Sequence, residues 1–340
     1  MAESTSQAPV VQLSHVRRRF GDNDALIDLN LTVPEKAITV LLGPNGAGKT
    51  TAIRMITGAL NCDGGDVRVF GLDPATDGDE VRRRCGVVSA KPALYDRLSG
   101  FDNLAYSAEL YGLGRGKDVA DRIRGAASRF GIEEALRQQV GGYSTGMKTR
   151  LALARSILHT PDLLLFDEPT SGLDPESSHA VLEMIREMPE DGRTVVMCTH
   201  LLLEAEGLAD MVVVLEGGAD LVSGGPRELT RRFWPGTVVR LAAEDPASLV
   251  QAKGLAGVRS LDVDLHGVTT VHLDDERRIP DLVLSLAANG VRLTRVEPHQ
   301  PTLEDLYFAV RTKRGTADDG GRQLDAARVI GAPLVVGVGR

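Results

Sequence analysis

The sequence predicts an α/β fold on a largely parallel sheet, followed by a smaller α+β domain. Three observations carry this expectation. Short, wholly apolar runs alternate with helical patterns through the first two thirds of the chain, the mark of a parallel sheet. One of those runs leads straight into a glycine-rich segment, Gly43-Pro44-Asn45-Gly46-Ala47-Gly48-Lys49-Thr50, with a helical pattern behind it. After about residue 234 the order becomes β-α-β-β-α-β, the ferredoxin-like pattern.

Taken along the chain, residues 1–9 are small and polar and are expected to form a flexible N-terminus. Leu29, Leu31 and Val33 alternate with Asp28, Asn30 and Thr32, as in a half-buried strand. Ile38 to Leu42 reads as a central strand and Thr51 to Thr57 as a helix. Residues 101–140 read as helices broken at Gly112, Gly114 and Gly131. Leu163 to Phe166, Val195 to Met197 and Met211 to Val214 are further buried-strand candidates.

The main domain is expected over residues 10–234, with a helical subdomain at about 95–160, and the accessory domain over 235–312. In the latter, Val238 to Ala242 reads as a strand and 246–253 as a helix. Leu261, Val263 and Leu265 alternate with Asp262 and Asp264, and Val268 to Leu273 follows a Gly267 turn. Ile279, Leu282, Val283 and Leu286 make a helical stripe, and Val291 to Val296 a last strand. Thr302 with Asp305 has capping-box spacing ahead of a stripe through Leu303, Leu306, Tyr307 and Val310. Residues 313–340 read as a polar linker and a tail whose Val329 to Val338 is mildly apolar.

With 340 residues, 42% of them hydrophobic and 25% charged, the composition is that of a globular protein of about two domains. The formal net charge of −8 argues against nucleic acid as a partner. No apolar run approaches the ~20 residues of a membrane span, and residues 1–10 lack a secretory pattern, so the expected location is cytoplasmic. Cys62, Cys85 and Cys198 have neither zinc nor disulfide spacing and read as buried apolar residues.

The glycine-rich segment fits G-x-x-x-x-G-K-[ST]. Glycines let successive N–H groups converge on phosphate oxygens, and the following helix turns its positive end to the same anion. Lys49 is expected to reach the β- and γ-phosphates of a bound nucleotide and Thr50 to ligate magnesium. Leu163-Leu164-Leu165-Phe166-Asp167-Glu168 places two carboxylates at the end of a buried strand, where open α/β sheets bind ligands. Asp167 is expected to hold Mg2+ through water and Glu168 to polarise the attacking water.

With Tyr143-Ser144-Thr145-Gly146-Met147 the chain resembles the ABC (ATP-binding cassette) ATPases, whose Leu-Ser-Gly-Gly-Gln signature it matches at Ser144 and Gly146. Phe20 resembles the aromatic that stacks on adenine, Ser171-Gly172-Leu173-Asp174 the D-loop, and Thr199-His200 the switch histidine at the γ-phosphate. The resemblance covers residues 10–232 and implies a P-loop NTPase cassette: a RecA-like core with antiparallel β and helical subdomains. It implies a site for ATP formed by Phe20, residues 43–51 including Thr51, and, from a facing copy, Ser144, Gly146 and Asp174, with Glu168 and His200 catalytic.

One family landmark is absent. Ala90, within Ser89-Ala90-Lys91, stands where members carry a glutamine that ligates metal and orients water. The C-terminal segment Thr302-Leu303-Glu304-Asp305-Leu306-Tyr307 resembles that of ABC-2-type exporters, including drug-resistance and sodium-export ATPases. The resemblance thus implies an ATPase that pairs with a second cassette as a homodimer and binds a separate membrane permease. The permease's coupling helix would enter near Tyr95 to Tyr106, with the chain peripheral on the inner face of the cell membrane. The alternatives are a non-transport ABC ATPase and a nucleotide-gated module with little hydrolysis. The first usually shows tandem cassettes, a coiled-coil insert or zinc cysteines, none visible here; Glu168 and His200 disfavour the second.

Overall fold

The computed structural model of the chain describes residues 8–234, 236–263 and 269–318. It divides into two units, the first ending at Gly225 and the second starting at Pro226. The strands of the first unit are β1 (Val11–Phe20), β2 (Asn23–Val33), β3 (Ile38–Leu42), β4 (Gly64–Val69), β5 (Cys85–Val88), β6 (Leu163–Asp167), β7 (Thr194–Thr199), β8 (Met211–Glu216) and β9 (Ala219–Gly224). Its helices are α1 (Lys49–Ile56), α2 (Gly78–Arg83), α3 (Gly100–Leu110), α4 (Lys117–Arg129), α5 (Thr145–Ile157), α6 (Pro175–Arg186) and α7 (Leu202–Glu206).

The nine strands form one sheet in the order β4-β1-β2-β9-β8-β3-β7-β6-β5. From β8 to β5 neighbouring strands run parallel, whereas β1 pairs antiparallel with β2 and β4, and β8 with β9. β3, β6 and β7 are buried at every residue, which is why they read as continuous apolar runs rather than alternating ones. Each fully buried Val or Leu there contributes about 1.5–3 kcal/mol of transfer free energy. Val40 stands opposite Met197 on one side and Val212 on the other, so the apolar stretches of three strands lie abreast.

The expected helical subdomain is present between β5 and β6, as α3, α4 and α5 packed on one another. Ser99 starts α3 by accepting from the Asp102 amide at 3.0 Å. The predicted breaks separate the helices: Gly112, Gly114 and Gly131 all adopt positive φ. Cys85 and Cys198 are buried as expected, whereas Cys62 is half-buried at the edge of the core.

The second unit holds α8 (Pro226–Phe233), β10 (Thr237–Ala243), β11 (Val258–Val263), β12 (Thr269–Leu273), α9 (Ile279–Ala288), β13 (Leu293–His299) and α10 (Leu303–Asp318). Its antiparallel sheet runs β11-β12-β10-β13, the ferredoxin-like order. Leu282 and Leu286 of the predicted stripe close its core over Val239, Leu241 and Val271. The capping box is closed in both directions, with Asp305 N donating to Thr302 Oγ1 at 3.2 Å and Thr302 N to Asp305 Oδ2 at 2.8 Å.

Several expectations change here. The division falls at 225/226, because α8 buries Leu229 and packs against α10 rather than closing the first unit. The helix expected over 246–253 is present as a 3-10 helix, Pro246–Gly254. Leu249 and Ala252, three residues apart and both 0% exposed, face the core together, as i and i+3 do where three residues make a turn. Val263 is 52% exposed because β11 is an edge strand. Residues 313–318, read as linker, continue α10. The N-terminal seven residues, Leu265, Gly267 and Val268, and the apolar tail 329–338 lie outside the described residues.

Because the nucleotide motifs and their sheet belong wholly to the first unit, residues 1–225 alone are expected to be soluble and to bind ATP with the full chain's affinity. Aggregation of that fragment, or a more than tenfold loss of affinity in a fluorescent-nucleotide titration, would show that the two units share a core.

Candidate nucleotide site

Three neighbouring strands end at one place. Leu42, the last residue of β3, pairs with Thr199, the last of β7, and Asp167, the last of β6, pairs with Cys198. The ladder continues one step past two of these ends, with Gly43 N donating to Thr199 O at 3.4 Å and Glu168 N to Cys198 O at 2.9 Å. The glycine-rich loop, Glu168 and His200 therefore leave the sheet side by side at the carboxyl ends of parallel strands. Glu168 has φ 51, a left-handed conformation that costs a non-glycine residue roughly 1–3 kcal/mol.

The loop needs its glycines. A Cβ on Gly43 would lie 2.3 Å from the Leu215 carbonyl oxygen. One on Gly48, at φ +105, would lie 2.5 Å from Leu26 Cδ2. Gly48 ends the loop and starts α1, and Ala52 is the residue whose amide reaches Gly48 O, at 2.9 Å. The amides of Lys49, Thr50 and Thr51 thus form the electropositive end of the helix. The helix begins at Lys49, two residues before the sequence expectation, so Lys49 and Thr50 are held in its first turn.

Lys49 is 5% exposed. It donates to Gly43 O at 2.6 Å and Pro44 O at 3.1 Å, with Glu168 Oε1 3.7 Å away. Thr50 Oγ1 donates to Asp167 Oδ2 at 2.7 Å. His200 Nδ1 donates to Glu168 Oε1 at 3.1 Å, because an ionised carboxylate can only accept. Lys49, Thr50, Asp167, Glu168 and His200 are thus one connected cluster. Sequence reading missed the brace behind it: Thr199 Oγ1 donates to Glu204 Oε2 at 3.0 Å and accepts from Leu201 N at 3.0 Å, fixing the turn that carries His200. A threonine before a histidine gives no sign of a partner five residues on.

The other predicted residues lie apart from this cluster. Phe20 is 43% exposed, with the Arg18 guanidinium 4.8 Å from its ring centre. Ser144 caps α5, accepting from Met147 N at 3.2 Å, and Asp174 caps α6, accepting from Ser177 N at 2.9 Å. The Ser177 amide and hydroxyl hold the Asp174 carboxyl below the usual carboxylate range. A Cβ on Gly146 would sit 3.4 Å from Ser177 Oγ, so Ser144, Gly146 and Asp174 mark two adjoining helix starts. Among the described residues no hydrogen bond joins them to Lys49, Thr50 or Glu168. Burial pushes the Cys85 thiol up to about 12 and the Cys198 thiol well above its ordinary value, so neither is a nucleophile at neutral pH.

Hard oxygen donors at Thr50 and Asp167 suit Mg2+, which is usually held by one or two protein oxygens together with substrate phosphates. Among the described residues no group of three or more His, Cys, Asp or Glu is placed to hold a metal. Ala90 lines a cleft with Thr50 and Asp167, the place expected for the absent glutamine. Ser89 Oγ donates to Lys91 O at 2.9 Å, closing its own loop.

A phosphate loop, a helix start and two strand-end carboxylates define a nucleoside-triphosphate hydrolase of the P-loop class. Comparison with known proteins gives the family. The ABC transporter family model matches residues 26–171. The chain is 36% identical over 225 residues to the ABC transporter ATP-binding protein NatA of Bacillus subtilis, covering 65% of this chain and 91% of that protein. It is 32% identical over 312 residues to the daunorubicin/doxorubicin resistance ATP-binding protein DrrA of Streptomyces peucetius, covering 90% of this chain and 94% of that one. A solved ATP-binding subunit of an ABC transporter superposes with a TM-score of 0.60 at 28% identity, over 66% of this chain and 93% of the other. The chain belongs to the ABC transporter family, as an ATP-binding and ATP-hydrolysing subunit.

Ala90 gives the site a testable peculiarity. Ala90→Gln would add an amide beside Thr50 and Asp167, and magnesium-dependent phosphate release is expected to rise about tenfold, ~1.4 kcal/mol of barrier. If Lys91 or Ser89 already fills the role, Lys91→Ala or Ser89→Ala will abolish turnover and Ala90→Gln will leave it unchanged.

Proposed function

We propose that two copies of this chain close head to tail over two molecules of ATP with Mg2+ and drive an export permease. The carrying observation is the connected cluster from Lys49 through Glu168 to His200 on the ends of β3, β6 and β7. Lys49 and the α1 amides hold the β- and γ-phosphates, and Phe20 stacks on the base. Thr50 and Asp167 would hold Mg2+, which would neutralise phosphate charge. Glu168 takes a proton from the attacking water, while His200 positions the carboxylate and meets the γ-phosphate.

The separation of Ser144, Gly146 and Asp174 from this cluster supports a site completed by a second copy. Two helix starts, at α5 and α6, offer amides and hydroxyls to a phosphate presented from outside. Export is supported by relatives matched across both units: DrrA, and a Nod factor export protein of Rhizobium etli that is 31% identical over 88% of this chain. No described helix is long and apolar enough to cross a membrane. The relatives matched across both units are named ATP-binding or export ATP-binding proteins, and the permease is read as a separate protein with this subunit against it on the cytoplasmic side. The net charge of −8 disfavours nucleic acid as the partner.

Glu168→Gln is expected to bind ATP with unchanged affinity, to lose roughly 10²–10⁴-fold in turnover, and to elute as a dimer with ATP and Mg2+ but as a monomer with ADP. Adding Ser144→Arg to it should keep ATP binding and abolish the dimer. Near-normal turnover by Glu168→Gln would remove Glu168 as the base, and an undiminished dimer with Ser144→Arg would remove the head-to-tail arrangement.

A further inference from the structure

Near its end β1 carries the run Arg17-Arg18-Arg19, and the middle arginine is placed differently from its neighbours. Arg17 and Arg19 are exposed, whereas Arg18 is half-buried. Its Nη1 donates to Asp63 Oδ1 at 2.6 Å and to the Asn61 carbonyl oxygen at 3.2 Å. The guanidinium so held lies over the Phe20 ring, 4.8 Å from its centre. Its Nε is buried with no hydrogen-bond partner. A buried donor left without an acceptor costs stability, so hydrogen bonding alone does not explain where the guanidinium lies.

Asp63 holds three successive residues of β1. Its Oδ1 takes Arg18, its Oδ2 accepts from the Arg19 amide at 2.7 Å, and its own amide donates to the Arg17 carbonyl oxygen at 2.8 Å. The pairing of β1 with β2 shifts register on both sides of Arg18, so the sheet ladder by itself leaves this end of the strand irregular. The turn ahead of β4 makes it fast instead. Phe20 is the last residue of the strand so fixed, an aromatic left open on the surface. It stands opposite Asn23 in β2, three residues from Leu26, whose side chain lies against Gly48 of the phosphate loop. Three strand residues span about 10 Å, which leaves room for a ribose between phosphates on the loop and a base on the ring.

We propose that Arg18 and Asp63 are positioning residues for the nucleotide base. Asp63 fixes Arg18, Arg18 backs one face of the Phe20 ring through a cation–π contact, and the other face is held ready for the base. The proposal rests on the reading of Phe20 as the stacking aromatic and adds what orients it. A ring free to turn would have to be ordered at each binding event, at a cost in affinity, whereas a backed ring is ordered in advance. Among the described residues no hydrogen bond or ion pair joins Arg18 or Asp63 to Lys49, Thr50 or Glu168. Their effect therefore falls on binding of the base and not on the chemical step.

The test uses the full chain. It measures KM and kcat for ATP, and the inhibition of ATP turnover by inorganic tripolyphosphate, which carries the phosphates without a base. Arg18→Met and Asp63→Asn are each expected to raise the KM for ATP about fivefold, with kcat and the tripolyphosphate inhibition constant unchanged. Arg18→Lys, which keeps the cation, should lose less. Added to Phe20→Ala, Asp63→Asn should cause no further loss, because the carboxylate acts through the ring. A wild-type KM in Phe20→Ala would overturn the reading of Phe20 as the base platform, and this proposal with it. A raised KM in Phe20→Ala beside wild-type values in Arg18→Met and Asp63→Asn would overturn the positioning role alone. Tripolyphosphate inhibition that weakens in step with ATP binding would show that the pair merely holds the local fold, and would likewise overturn it.

Discussion

The hydrogen bond from the Glu168 amide to the Cys198 carbonyl, at 2.9 Å, and its companion from Gly43 to Thr199, at 3.4 Å, extend the ladder joining β6, β7 and β3 beyond the strands. Everything chemical in the molecule hangs from that alignment. A slip of one residue in β6 would turn Asp167 and Glu168 to opposite faces and part the Thr50–Asp167 hydrogen bond. The strands hold their register because their apolar stretches are buried on both faces and lie abreast. The core that stabilises the first unit is thus also what positions the phosphate loop, Asp167 and Glu168.

Electrostatics then works at short range inside this frame. Lys49 sits between the carbonyls of its own loop and the Glu168 carboxylate, and His200 holds the same carboxylate from the next strand. Glu168 thereby has a cation on one side and a hydrogen-bond donor on the other, at a bend that itself stores strain. Such groups are set before substrate arrives, so little reorganisation is left for the chemical step. The helix starts at Ser144 and Asp174 are likewise formed in advance, each closed by its own cap.

How much of this was legible in the sequence follows from the range of the interactions. The phosphate loop was readable because its chemistry is local: glycine conformations, a lysine and a hydroxyl within eight residues. The strand-end carboxylates were readable because a buried strand announces itself by composition. The Thr199–Glu204 brace and the Cys198 rung were not, since nothing local marks a backbone carbonyl as a partner. In the second unit the helix expected over 246–253 is of the 3-10 kind, a distinction the sequence does not mark because spacings of three suit both geometries. The helix α10 runs past the point where polar and glycine residues read as linker, as tertiary packing near its start overrides weak propensity.

The most direct measurement is the crystal structure of the Glu168→Gln variant with ATP and Mg2+. The account predicts the triphosphate over the carboxyl ends of β3, β7 and β6. Lys49 should lie within hydrogen-bond reach of the γ-phosphate, Thr50 should be on the metal, and the Glu168–Cys198 and Gly43–Thr199 backbone bonds should be unchanged. A γ-phosphate seated away from those three strand ends, or a ladder that shifts register when nucleotide binds, would contradict it.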